Sequence, residues 1–275
     1  MKYHVLVVFL ALVLSGCVEN QSVKSNFDVT FEYPKEVRCG TTFSIKAKIQ
    51  NNIGHPVNNF EIDVEEKYNS DIVEINCDGR KTETSCYFSR IDHGDEKEIV
   101  FNMRSPSHYC IAGSNQNQLL KIYPQISVSY DSADQSNLFI PIESGLLKGI
   151  SSSKRTMTNG PVAVEIVLPE EKNYLSPGET IDVEFKFISD QSADVILKKQ
   201  DVNIQLTNLK VYDSENCDFD SLRPKEDVKV NEFPLFCSFK SEDKSGENAI
   251  ISVNYKYNYK KLETFEISIT SSVKR

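Results

Sequence analysis

The chain has 275 residues, of which 39% are hydrophobic, 26% charged and 10% aromatic, with no tryptophan; this is the composition of a folded globular protein and excludes a disordered one. Its 40 acidic and 31 basic side chains give a formal net charge of −9, and lysines are interleaved with acids, so the average field repels phosphate backbones and nucleic acid is excluded as a partner. The length suits about two domains of ordinary size.

In chain order, Lys2, an apolar run from Val5 to Leu14 and the small residues Ser15 and Gly16 stand immediately before Cys17, the order of a secretory signal. The run is about half the roughly 20 residues that cross a bilayer, which disfavours a permanent membrane helix. Leu14-Ser15-Gly16-Cys17 resembles the lipobox of prokaryotic (archaeal or bacterial) lipoproteins. The resemblance implies a signal peptide over residues 1–16, cleavage before Cys17, and diacylglycerol on the Cys17 thiol. The protein would then sit on the cell membrane, facing the extracytoplasmic side. Each buried methylene of a lipid chain contributes about 0.8 kcal/mol, so two long chains hold a protein on a bilayer almost indefinitely. Residues 17–26 form the lipidated tether, and "VENQSVKSN" has no hydrophobic period to fold it.

Seven cysteines is an odd count, and assigning Cys17 to lipid leaves Cys39, Cys77, Cys86, Cys110, Cys217 and Cys237. An even set outside the reducing cytosol reads as disulfides. Divided near residue 150, the set splits four and two, so no bridge need join the halves. Asp78-Gly79 is a turn pair between Cys77 and Cys86 and points to a hairpin staple, which leaves Cys39 with Cys110 and Cys217 with Cys237. Four cysteines allow three pairings, so the first-half assignment is an inference. No two cysteines have the close spacing of a zinc site, and no metal is expected.

From Phe27 onward the hydrophobic period is two. Phe43, Ile45, Ala47 and Ile49 alternate with polar residues; so do Phe60, Ile62 and Val64, then Ile126, Val128 and Tyr130. Ile181, Val183, Phe185 and Phe187 repeat the pattern, followed by Val202, Ile204 and Leu206, and by Phe265, Ile267 and Ile269. Each reads as a half-buried strand. "SGLLKGISSSKRTM", ending at Asn159-Gly160-Pro161, reads as a linker over 144–160 between a first block at 27–143 and a second at 161–275. The predicted fold is all-β: two antiparallel sandwich domains in tandem.

The blocks match in pattern. "EYPKEVRCGTTFSIKAKIQNN" parallels "VLPEEKNYLSPGETIDVEFKF", and "QISVSYDSADQSNLFIPI" parallels "IISVNYKYNYKKLETFEISI" in order and spacing, as a duplicated module would. Ser176-Pro177-Gly178-Glu179-Thr180 leading into Ile181-Asp182-Val183-Glu184-Phe185 resembles the strand opening of immunoglobulin-like, CARDB-type modules of archaeal and bacterial surface proteins. Cys39-Gly40 through Asn52 is similar to the same opening. The resemblance spans about half of each block and implies a fold and an extracellular setting, with no chemistry.

Few residues suggest chemistry. The four histidines are at positions 4, 55, 93 and 108, and no nucleophile elbow, phosphate-binding glycine loop or zinc-protease helix occurs. Asp92-His93-Gly94-Asp95-Glu96 and the group Asp213, Glu215, Asp218 and Asp220 offer oxygens but read as acidic turns without calcium-loop spacing. Tyr255, Tyr257 and Tyr259 project from one strand face; exposed, they would suit a glycan or protein partner, and buried, they are core, the favoured alternative. "SHYCIAGSNQNQ", residues 107–118, is the longest polar loop of the first block. The expectation is a chain that is not an enzyme and takes no cofactor: an anchored lipoprotein that binds or spaces envelope proteins or glycans. The alternatives are a ligand-capturing or enzymatic lipoprotein with a carboxylate-lined interdomain site, and an accessory subunit of a surface filament or secretion complex.

Overall fold

A computed structural model describes residues 27–65, 71–107, 120–143, 155–156, 160–169 and 174–270. The predicted signal, Cys17 and its tether, most of the 144–160 linker, and Cys110 with nearly all of the 107–118 loop lie outside the described residues.

The first half contains β1 (Phe27–Glu32), β2 (Glu36–Arg38), β3 (Thr42–Asn51), β4 (Val57–Glu65), β5 (Asp71–Asn76), β6 (Arg80–Lys81), β7 (Ser85–Ile91), β8 (Glu96–Arg104), β9 (Leu120–Ile122) and β10 (Gln125–Pro141). The second contains β11 (Arg155–Thr156), β12 (Val162–Val167), β13 (Thr180–Ser189), β14 (Ala193–Ile196), β15 (Val202–Thr207), β16 (Leu209–Val211), β17 (Phe219–Asp220), β18 (Arg223–Pro224), β19 (Leu235–Ser241), β20 (Asn248–Thr264) and β21 (Ile267–Thr270). A 3-10 turn, Lys199–Asp201, joins β14 to β15.

The strands form where alternation predicts them. In β3 the side chains of Phe43, Ile45, Ala47 and Ile49 are buried and the intervening ones are not. The same holds for Ile181, Val183, Phe185 and Phe187 in β13. A period of two places successive side chains on opposite faces, so one face of each strand leaves water and drives the packing. In β4 the alternation slips by one at Asn58-Asn59: Asn59 takes φ 50° and the register against β10 shifts between Ser129 and Asp131, a β-bulge that keeps Phe60, Ile62 and Val64 inward.

One sheet of the first half has the order β1-β3-β8-β5, and one of the second has β11-β12-β13-β19-β16. Opposite both lies a single sheet, β14-β20-β10-β4-β7-β6, with β15 also on β20. Its spine is β10 paired antiparallel with β20 along 17 residues, from Gln125↔Thr264 to Pro141↔Asn248. Near Tyr130 this ribbon packs under the first half, where Phe27 lies 4.7 Å from Tyr130 and Tyr130 stacks 4.8 Å from Tyr259. Near Tyr255 it packs under the second, with Phe187 edge-on to Tyr255 at 5.9 Å.

The segments matched as repeats, in β10 and β20, are therefore hydrogen-bonded to each other. The strands around them repeat as well: β1-β3-β8-β5 corresponds to β12-β13-β19-β16, while β4 flanks β10 as β15 flanks β20. The central pair of the ladder, Ala133↔Lys256, marks the pseudo-two-fold point of the arrangement. The last strand breaks the symmetry. The sequence places Phe265, Ile267 and Ile269 in the second block, but β21 runs parallel to β2 and antiparallel to β9, both of the first half. Cys39 N–H donates to Thr270 O at 3.1 Å, and Phe265 packs on Phe31 and Tyr33.

Candidate functional site

The inward face of β10 is apolar at both ends, with Ile126, Val128 and Tyr130 before the middle and Leu138 and Ile140 after it, yet its middle carries Ser132, Asp134 and Ser136. That polar stretch lies where the two packed regions meet along the ribbon. Asp134, with 8% of its side chain exposed, is shared by two partners. His55, in the turn between β3 and β4, places Nε2 2.6 Å from Asp134 Oδ1, and Tyr257 donates its hydroxyl to Asp134 Oδ2 at 2.9 Å. Gly160, at the entry to β12, packs so closely against the carboxylate that a Cβ there would collide with it.

The second ring nitrogen of His55, Nδ1, lies 3.3 Å from Pro56 O. Both nitrogens therefore face oxygens that only accept, an arrangement satisfied by the imidazolium. The bond to Asp134 accordingly holds the His55 pKa above its ordinary value, against the desolvation that opposes it. Burial, and then the neighbouring Asp134 charge, push the Tyr257 pKa well up, so its hydroxyl stays protonated and donates. An Asp–His pair can orient a general base, but both nitrogens of this ring are committed to Asp134 and Pro56. Its evident work is to tie the β3–β4 turn to β10 and β20.

On the other side of the ribbon, facing outward, are two adjoining cavities of about 420 and 450 Å³. Both are lined by Ala133, Lys256 and Asp201, so they form one groove over the central pair of the ladder. Its floor is short because Ala133 has no long side chain, and the 3-10 turn at Lys199–Asp201 walls one side. One end holds Asn58, Asp131 and Asn258; the other holds Gln135, Asn203 and Asn254. Asp131 is committed on both oxygens, accepting from Asn258 Nδ2 at 3.0 Å and Asn59 Nδ2 at 2.8 Å.

The predicted site residues are dispersed. Cys77–Cys86 and Cys217–Cys237 are disulfides, as paired in the sequence. Cys39 is disulfide-bonded too, while its assigned partner Cys110 lies outside the described residues. Tyr255, Tyr257 and Tyr259 are 2%, 3% and 8% exposed, so the stripe is core and does not present the binding face it would form if exposed. Tyr255 donates its hydroxyl to Val162 O at 2.7 Å, and burial first of all raises the Tyr259 pKa to about 12.

The acidic turns are held by protein partners, within their own loops and on neighbouring segments. Asp92 accepts from Arg90 Nε at 2.6 Å, and His93 Nδ1 accepts from Gly54 N–H at 3.1 Å. Asp213 accepts from Glu215 N–H and Asn216, and Asp218 accepts from Phe236 N–H. Among the described residues no group of three or more His, Cys, Asp or Glu is placed to hold a metal ion. No helix there is long and apolar enough to cross a membrane.

Sequence reasoning missed His55 and Asp134, which are 79 positions apart and belong to no local motif. One signal was present: in "QISVSYDSADQS" the alternation puts Asp134 on the same face as Ile126, Val128 and Tyr130. A carboxylate at core parity requires a buried partner.

No protein-family model matches the sequence, and no curated protein does. Among solved structures, the chain is similar to the secreted serine protease VesC from Vibrio cholerae, at 10% identity and a TM-score of 0.24, over 90% of this chain and 53% of that one. It thus spans about half the length of the protease chain. A second similarity is to a protein described as membrane anchored from Corynebacterium diphtheriae, at 9% identity and a TM-score of 0.15, over 89% of each chain. The expectation that the chain is not an enzyme is corrected by the protease neighbour: a sequence without a catalytic motif does not exclude catalysis, and the expectation is carried no further. At that TM-score the likeness transfers no catalytic residue, substrate or activity to this chain.

Proposed function

We propose that the chain is a membrane-anchored lipoprotein of the extracytoplasmic side, built from two immunoglobulin-like sandwich modules, that binds or spaces protein or glycan components of a cell envelope. The observation that carries this reading is the state of the cysteines: all five described ones are in disulfides, which suits an oxidising compartment. With Cys110 assigned to Cys39, the odd residue of the seven is Cys17, at the end of the lipobox-like segment. The repeated strand order supports the duplicated module.

The test is the intact mass of the protein extracted from its native membrane, with and without reduction. The expected mass is that of residues 17–275 plus lipid, rising by about six protons when three bridges open. The variant Cys17→Ala should lose the lipid and leave the membrane fraction. A lipid-free mass, or free thiols in the folded chain, overturns the reading.

A further inference from the structure

We propose that the outward groove over the β10–β20 ladder binds a neutral polysaccharide, laid along the strands. This rests on the reading of the chain as an envelope-binding module and names the ligand class and the site. Because β10 and β20 pair without interruption, the outward residues of both strands and of β15 fall into rows. Asp131 is beside Asn258; Gln135, Asn254 and Asn203 form one row; Asn137, Ser252 and Gln205 form the next. Outside the Ala133–Lys256 row the sheet thus offers a field of side-chain amides, within which Gln135 Nε2 donates to Asn137 Oδ1 at 3.0 Å.

An amide both donates and accepts, as does a sugar hydroxyl, so a field of amides matches a polyhydroxylated chain with no charge on either partner. The side chains of Asn203 and Asn254, which line the groove, make no hydrogen bond to protein among the described residues. Charge selects in the same direction. On a chain of net charge −9 the groove has three aspartates, Asp131, Asp134 and Asp201, against two lysines, Lys198 and Lys256, and the His55 ring that is paired with Asp134. An anionic polymer meets no basic excess here, and a cationic one no acidic excess.

Beyond the amide rows, β10 ends its outward face with Phe139, 53% exposed, paired in register with the half-buried Ile250. From Asp131 to Phe139 the strip runs about 26 Å at the rise of a β-strand, long enough for several sugar units.

The test applies the full-length chain, in detergent, to immobilised linear gluco-, manno- and N-acetylglucosamine oligosaccharides and to uronic-acid oligosaccharides of similar length. Binding to a neutral series is expected, weakened about tenfold in the double variant Asn203→Ala/Asn254→Ala, the loss of about two hydrogen bonds. Phe233→Ala, at an exposed aromatic that does not line the groove, should leave it unchanged, and all variants should keep the wild-type Tm within a few degrees. No binding to any neutral series, preference for the uronic acids, or binding unaffected by the double variant overturns the proposal. Cys17 lipidation reports separately: a lipidated chain that binds no neutral glycan sinks this inference and leaves the anchored-module reading, whereas a glycan-binding chain without lipid does the reverse.

Discussion

Asp134 is the residue on which the joint between the two packed regions depends. Its carboxylate, 8% exposed, meets an imidazole, a phenol and a glycine backbone from three different segments. Replacing it by alanine leaves the Tyr257 hydroxyl and a charged ring without their acceptor, a class of change that costs about 3 kcal/mol. Urea denaturation of Asp134→Ala should show that loss, and a change below about 1 kcal/mol would mean that water replaces the carboxylate freely. His55 adds a pH dependence. Its pKa is raised in the folded state, first by the bond to Asp134, so the stability it contributes is fully present below its ordinary value of 6.5 and is lost as pH rises through the raised value. The Tm gap between wild type and His55→Gln should therefore be wide near about pH 5.5 and narrow near about pH 9. A gap that widens on going alkaline would contradict the assignment.

At the scale of elements, β21 shows how position in the chain misleads. Its residues alternate as the sequence predicts, but the strand crosses back to close the first half beside β2 and β9. Ending the chain after Thr264 should therefore loosen the first half more than the second. Hydrogen exchange reads this directly: the Cys39 amide, now donating to Thr270 O at 3.1 Å, should lose its protection, while the amides of β13 keep theirs. Faster exchange in β13 with Cys39 unchanged would refute the pairing. The β10–β20 ribbon raises the same point from the other side. Alternation placed Tyr130 and the tyrosine stripe of β20 on strand faces, and burial settled which way they turn; it carried no information on which strand lies beside which.

For the whole molecule, the ribbon makes the two halves share one sheet, so their melting should be coupled. Scanning calorimetry should give one transition, and Phe60→Ala in the first half or Phe185→Ala in the second, each fully buried, should lower the same Tm at a cost of about 3–5 kcal/mol. Two separated endotherms, each shifted by only one of the variants, would show that the ladder does not transmit stability. The repeated strand order also explains the position of the groove. It lies over the pair Ala133↔Lys256, where the two repeats face each other, and neither repeat alone supplies both of its walls.

The amino-acid sequence by itself determined the strands that alternate cleanly, such as β3 and β13, and their inward residues, because a period of two is local and each apolar side chain states its own preference for leaving water. It also pointed to the Cys77–Cys86 bridge, through the turn pair between its cysteines, and to Cys217–Cys237, though three pairings stayed open in the first half until the structure chose among them. Only the tertiary structure decided that β10 and β20 lie side by side, that β21 returns to the first half, and that His55 meets Asp134. Backbone hydrogen bonds are chemically alike along every strand. Partner choice therefore rests on how whole faces fit together, a property no short stretch of residues possesses.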